Sequence, residues 1–249
     1  VIKINKEVVI EVKDLRKVFK LGKEKVVAIN KMDFTINKGE ICCILGTSGS
    51  GKSTLLNMMA GLEKPTKGYV KILGKEVTKM NEKKLAIFRQ NNIGFIFQSY
   101  NLMNALTAIE NVSLPLVFRG VSRVRRKQEA TKLLEAVGLE SHMKHKPTQM
   151  SGGQQQRVGI ARSFVGNPKV IFADEPTGNL DSKTSDEVLQ LMENIVREKE
   201  QVLVIVTHDR SVTRYADKII HVLDGNIQQV EIIDKSEKKE EIKHEEKSV

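Results

Sequence analysis

The chain has little that would suit an oxidising compartment or the interior of a membrane. Its two cysteines, Cys42 and Cys43, are adjacent in an apolar run. Neighbouring residues of a strand point to opposite faces, so this pair is not placed to form a mutual disulfide. Reduced core thiols of a cytosolic protein are expected instead. Neither cysteine has a histidine or cysteine partner at zinc-ligand spacing. The longest stretch without charge runs from Gln90 to Ile109, and Asn91, Asn92, Gln98, Asn101 and Asn104 interrupt it, so no membrane span is expected. The first residues given show no signal-peptide pattern. No heptad pattern is sustained over several repeats, which argues against a coiled-coil arm.

What is present is ordinary for a soluble globular protein. The 249 residues are 40% apolar and 29% charged. That length suits one large domain, or one domain with a subdomain. The formal net charge is +10. Residues 234–249 hold five Lys against six Asp/Glu, leaving +11 on the rest. This Lys/Glu tail is expected to be disordered. A basic body suits a nucleic-acid partner and equally a site beside an anionic membrane surface. Charge alone does not choose between them.

The most specific local signal is Gly46-Thr47-Ser48-Gly49-Ser50-Gly51-Lys52-Ser53-Thr54. It follows the apolar run Glu40-Ile41-Cys42-Cys43-Ile44-Leu45 and precedes Leu55-Leu56-Asn57-Met58-Met59-Ala60. Strand, Gly-rich loop and helix are the context in which a phosphate-binding loop works. Inward-pointing backbone N–H groups meet the phosphates, and Gly46, Gly49 and Gly51 permit the close approach. The helix adds its positive dipole end. Lys52 can reach the β- and γ-phosphates, and the Ser53 hydroxyl can ligate Mg²⁺.

The remaining pattern is mixed α/β. Met32, Phe34 and Ile36 alternate with polar residues, as in a half-buried strand. Residues 69–73, Gly74-Lys75 and Glu76-Val77 read as a short hairpin. Residues 81–149 read as mostly helical, with Val124, Leu133, Leu134 and Val137 as an apolar stripe and Gly138 as a C-cap. Val170-Ile171-Phe172-Ala173 and Val202-Leu203-Val204-Ile205-Val206 suit strands buried on both faces of a parallel sheet. Residues 182–199 between them read as a helix with Val188, Leu191, Met192 and Ile195 facing inward. Asp224-Gly225-Asn226 reads as the turn of a last hairpin.

Two of these strands end in chemistry. Asp174 follows the first and is placed to hold Mg²⁺ beside a phosphate loop, while Glu175 can orient or deprotonate water. A solvated acidic turn is the bland alternative. The second strand ends in Thr207-His208, at the carboxyl edge where open parallel sheets bind ligands.

With Ser151-Gly152-Gly153-Gln154-Gln155-Gln156-Arg157, these residues resemble the ATP-binding-cassette (ABC) ATPase family over nearly all of residues 1–233. The resemblance implies a P-loop NTPase with a mixed RecA-like core, an antiparallel β subdomain and an α-helical signature subdomain at about 99–165. It implies that Ser151, Gly152, Gly153 and Gln154 contact ATP held by the phosphate loop of a second copy, head to tail. It implies that Gln98 touches Mg²⁺ and the lytic water, that Asp181 in Asn179-Leu180-Asp181 crosses the dimer interface, and that His208 is the switch histidine. Phe19 matches the aromatic that stacks on adenine, commonly Tyr; core packing is its other reading. Met150 stands where the family usually has Leu, and Thr47 where related loops often have Pro. The expected catalytic set is Glu175, His208, Lys52 and Gln98; the metal set is Ser53, Gln98 and Asp174; the cofactors are ATP and Mg²⁺.

Residues 98–103 and 106–116, with Ala173-Asp174-Glu175-Pro176-Thr177-Gly178-Asn179-Leu180-Asp181, look like the macrolide-exporter and lipoprotein-release branch (MacB-like, LolD-like). That likeness implies a MacB/FtsX-type membrane permease as partner, a place at the cytoplasmic face of the cell membrane, and no nucleic-acid partner. The basic residues Arg119, Arg123, Arg125, Arg126 and Lys127 read as a solvated helix face or as a contact with permease or anionic lipid. A soluble ABC ATPase of DNA repair or translation is the alternative, though neither a second cassette nor a coiled-coil insertion is present. A small-molecule kinase would share the phosphate loop without needing Ser151–Arg157.

Overall fold

A computed structural model describes residues 7–22 and 24–233; the tail at 234–249 lies outside them. Two sheets share the work. The first is antiparallel and joins β1 (Val8–Leu21), β2 (Glu24–Asn37), β4 (Lys67–Ile72) and β5 (Lys75–Glu76) in the order β2-β1-β4-β5. The second has the order β10-β9-β3-β8-β7-β6, built from β3 (Ile41–Leu45), β6 (Ile93–Phe97), β7 (Val170–Asp174), β8 (Val202–Thr207), β9 (Lys218–Leu223) and β10 (Asn226–Ile232). In it β6, β7, β8, β3 and β9 run parallel, and β10 returns antiparallel beside β9.

The helices are α1 (Lys52–Met59), α2 (Glu82–Asn92), α3 (Ala108–Phe118), α4 (Arg123–Ala136), α5 (Gly152–Phe164) and α6 (Ser182–Glu198). Short 3₁₀ turns lie at Val77–Lys79, Glu140–His142, Pro147–Gln149 and Arg210–Tyr215. None of the described helices is long and apolar enough to cross a membrane.

Strict alternation along the buried strands divides the interior into two cores. Ile41, Cys43, Leu45, Ile171, Ala173, Leu203 and Ile205 face α3, α4, α5 and α6. Cys42, Ile44, Val170, Phe172, Val202, Val204 and Val206 face α1, α2 and the antiparallel sheet. The adjacent cysteines therefore sit in different cores, as their spacing requires. Both are free, and burial pushes the Cys43 thiol up to about 12.

Most of the sequence pattern is found in place. Met32, Phe34 and Ile36 are the buried residues of the second half of β2. Helix α6 buries Val188, Met192 and Ile195, with Leu191 partly covered. Three details differ. Residues 81–149 are interrupted by β6, which pairs with β7; Gly94 makes this possible, because a Cβ there would stand 2.1 Å from Ser163 O. The β4–β5 turn is centred on Leu73-Gly74, both with positive φ, and Val77 already belongs to a 3₁₀ turn. Val124 is 70% exposed, while Ala130, Leu133, Leu134 and Val137 form the buried stripe. Six residues before Ala130, Val124 lies about 120° around the helix from that stripe.

The start of β3, which leads into the phosphate loop, is held by charge. Lys218 Nζ is 2.6 Å from Glu40 Oε1, and each side chain is only 8% exposed. Lys218 also donates to Thr35 O, and the Asn37 N–H donates to Glu40 Oε2. Beside them, both Arg197 guanidinium nitrogens reach Asp217 at 2.7 Å, and Asp217 accepts from the Ile41 N–H. Removing one partner of a buried pair leaves the other charge uncompensated. Lys218→Met is therefore expected to lower unfolding free energy by about 3 kcal/mol, and adding Glu40→Gln to recover much of the loss. Urea unfolding measures both; a single variant as stable as the parent would contradict this account.

Candidate active site

The parallel strands deliver their functional residues at one edge because they are in register. Leu45 pairs with Thr207 and Asp174 with Val206, so β3, β7 and β8 end side by side. Beyond that edge lies a cleft of about 1240 Å³. Gly46, Thr47, Ser48, Gly49, Gly51, Lys52, Ser53 and Thr54 line it, together with Gln98, Glu175 and His208. Gly46 and His208, 162 positions apart in sequence, are thus brought to one space.

The loop's shape depends on missing Cβ atoms. Gly51 caps α1 with φ 97°, and a Cβ there would stand 2.4 Å from Ala28 O. A Cβ at Gly46 would stand 2.2 Å from Val222 O. The loop is closed from behind by the β9–β10 turn, where Asp224 and Gly225 both have positive φ, as a tight hairpin needs. Gly225 N donates to Ser50 O, and Gly46 N donates to Thr207 O. Lys52 is buried and its Nζ donates to Thr47 O at 2.7 Å. Buried cation, inward backbone and helix N-terminus form a donor set suited to a polyphosphate.

Across the cleft the acidic residues are individually fixed. Ser53 Oγ donates to Asp174 Oδ1 at 3.2 Å. Burial holds the Asp174 carboxyl above the usual carboxylate range, with Glu175 adding to the effect against the Ser53 hydrogen bond. A hydroxyl and a desolvated carboxylate at this separation fit a divalent cation, and Gln98 offers an amide oxygen from the same cleft.

Glu175 adopts φ 46°, an uncommon conformation for a non-glycine residue that often marks a functional position. Its backbone N–H donates to Val206 O. The Thr207 hydroxyl donates to Glu175 Oε2 at 3.0 Å, and His208 Nδ1 lies 2.8 Å from Oε1. The carboxylate is thus aimed by two residues of β8 and the loop after it, while His208 itself stays 66% exposed.

Not every expected residue meets here. Ser151, Gly152, Gly153, Gln154 and Asp181 line a different cleft, of about 390 Å³, with Asn179 and Thr184. The two clefts have no lining residue in common. At the second, Ser151 caps α5: Ser151 Oγ accepts from Gln154 N, and Gln154 Oε1 accepts from Ser151 N at 2.9 Å. Asp181 caps α6 by accepting from the Thr184 N–H and hydroxyl, and the backbone N–H foremost holds its carboxyl below the usual range.

Phe19 does not line the first cleft. It pairs across the sheet with Val26, which does, and carries Lys17 Nζ 4.8 Å from its ring centre. Val26 and Val27, more than 40% exposed, are the apolar wall on that side. These valines, Thr207 and the Val222–Gly225 turn were not among the expected site residues. Their only sequence signals are the Asp-Gly turn and a Thr beside the His, both common in loops.

The profile of the ABC transporter family matches residues 29–178. An uncharacterised ABC transporter ATP-binding protein of Thermotoga maritima is 48% identical over 90% of this chain and 95% of its own length. The lipoprotein-releasing system ATP-binding protein LolD of Geobacter metallireducens is 44% identical over 88% of this chain and 97% of its own. Among solved structures, the ATP-binding cassette MJ0796, as a dimer in a post-hydrolysis state bound to ADP and Pi, superposes with a TM-score of 0.84 at 41% identity, covering 90% of this chain and 99% of that one. The chain belongs to the ABC transporter family, as one of its ATP-hydrolysing nucleotide-binding subunits.

Proposed function

We propose that two copies of this chain hydrolyse Mg-ATP at sites each shared between them, and that the resulting motion drives a MacB/FtsX-type permease at the cytoplasmic face of the membrane. The observation that carries this reading is the separation of the two clefts. Residues Gly46–Gly49, Gly51–Thr54 and Glu175 line one, with Asp174 bonded to Ser53 just outside its lining, while the helix-capping donors Ser151–Gln154 line the other. A second copy placed head to tail completes each first cleft with a second one. The dimeric state of the related cassette supports the arrangement, and the lipoprotein-release name of another relative supports the permease branch.

Within each shared site the roles follow from the geometry. The loop N–H groups and Lys52 bind the phosphates. Ser53, Asp174 and Gln98 would hold Mg²⁺, which when bound would supply positive charge to offset that of the phosphates. Glu175, aimed by Thr207 and His208, orients water and accepts its proton. His208 and Lys52 stabilise charge that develops on the γ-phosphate. Ser151 and Gly153 of the other copy close the site. Val26 and Val27 form the apolar wall for the base, with Phe19 paired to Val26 across the sheet, and Asp181 meets the other copy. The helices at about 99–165 act as the moving unit, linked to the nucleotide through Gln98.

Glu175→Gln is expected to keep ATP binding but lower turnover at least about 100-fold, and to trap an ATP-held dimer. Gel filtration with ATP that shows only monomer would contradict the shared site. Ser151→Arg is expected to abolish turnover while the chain still binds ATP. Turnover at the parent rate in that variant would remove the signature residues from catalysis.

A further inference from the structure

Behind the second cleft a histidine holds the side chain of Gln154. His142, in the 3₁₀ turn Glu140–His142, places Nε2 3.1 Å from Gln154 Nε2, and its Nδ1 lies 2.9 Å from Ser141 Oγ. The hydrogen-bond roles can be assigned. Ser151 N can only donate, so the Gln154 amide must turn its oxygen to it, as observed at 2.9 Å. The amide nitrogen, a pure donor, then faces His142, and His142 Nε2 must accept. That requires a neutral imidazole with its proton on Nδ1, donated to Ser141 Oγ.

Protonation of His142 would set an N–H against an N–H. Rotating the Gln154 amide would relieve that contact only by placing its NH₂ against Ser151 N, so either response breaks one link of the chain His142–Gln154–Ser151. The ring of His145 lies 5.1 Å from that of His142, and its Nδ1 is buried with no hydrogen-bond partner. The other ionisable groups on elements that meet this turn are Glu140 of the turn itself, Lys144 and Lys146 of the loop that follows, Arg123, Arg125, Arg126, Lys127, Glu129, Lys132 and Glu135 of α4, and Arg157, which is paired with Glu187, and Arg162 of α5.

We propose that neutral His142 is a positioning residue for ATP hydrolysis. Through Gln154 it holds the Ser151 capping box in the form that faces the nucleotide of the second copy, and its protonation releases that hold. The inference rests on the shared-site reading above.

ATPase rates of the full chain between pH 5.8 and 8.2 test it, using the parent, His142→Gln and His142→Phe. At pH 8.2, His142→Phe has no acceptor and is expected to turn over about fivefold more slowly, the weight of one hydrogen bond, with unchanged ATP affinity of the monomer. His142→Gln offers an acceptor that does not titrate and recovers most of the rate. Toward pH 5.8 the parent should fall below His142→Gln by a similar factor; groups common to both chains cancel in that ratio. A pH-independent ratio, or a parent-like rate for His142→Phe, overturns the proposal. If His142→Phe does not fold, the ratio alone decides. ATP-dependent dimerisation of Glu175→Gln separates the two failures. A dimer with coincident pH profiles overturns only the role of His142, and no dimer overturns the shared site and this role together.

Discussion

The register of three parallel strands is the constraint on which the rest depends. Leu45 ends level with Thr207, and Asp174 one residue short of it beside Val206, because β3 pairs with β8 and β8 with β7 without a bulge. A slip by one residue would turn every side chain of a strand to the other face. It would move Asp174 away from Ser53 and Thr207 away from Glu175, and place Cys42 where Cys43 belongs. Two hydrophobic cores, one on each face, oppose such a slip. The ion pairs Glu40–Lys218 and Asp217–Arg197 fix the opposite end of the sheet.

That constraint explains what could be read from the chain before its fold was known. Phosphate loop, strand-end carboxylates and signature are short motifs whose chemistry lies within a few residues, so Gly46–Thr54, Asp174-Glu175 and Ser151–Gln154 announced themselves. The continuous apolar runs 170–173 and 202–206 named the buried strands. Contacts that depend on distant partners were not legible. Nothing near Gly225 says that its N–H will donate to Ser50 O, and nothing near Val26 says that it will wall the nucleotide cleft. The five residues of β6 carry no turn signal that would set them apart from the helices around them, and only Gly94 records the close approach of Ser163. Val124 is apolar but out of helical phase with Leu133, Leu134 and Val137, which composition alone does not reveal.

Inside one chain, the two clefts are linked although they share no lining residue. Gln156 of α5 donates to Pro176 O, next to Glu175, and Asn179 donates to Gln98 O. A displacement of α5 is therefore felt at the segment carrying Glu175, and a displacement at Gln98 is felt at Asn179, two residues before Asp181. These are short, direct contacts between elements that face different copies in the proposed assembly. They offer a physical route by which closure at one nucleotide is sensed at the other.

The central claim is that each working site draws on two chains. Complementation tests it most directly. A chain with Lys52→Ala has no working phosphate loop, and one with Ser151→Arg has no working signature, so each alone should be inactive. In a mixed pair, the intact loop of one chain meets the intact signature of the other. Equal mixing is expected to restore up to about a quarter of the parent ATPase rate, since half of randomly paired dimers carry one good site of two. A mixture as inactive as its components would contradict the account.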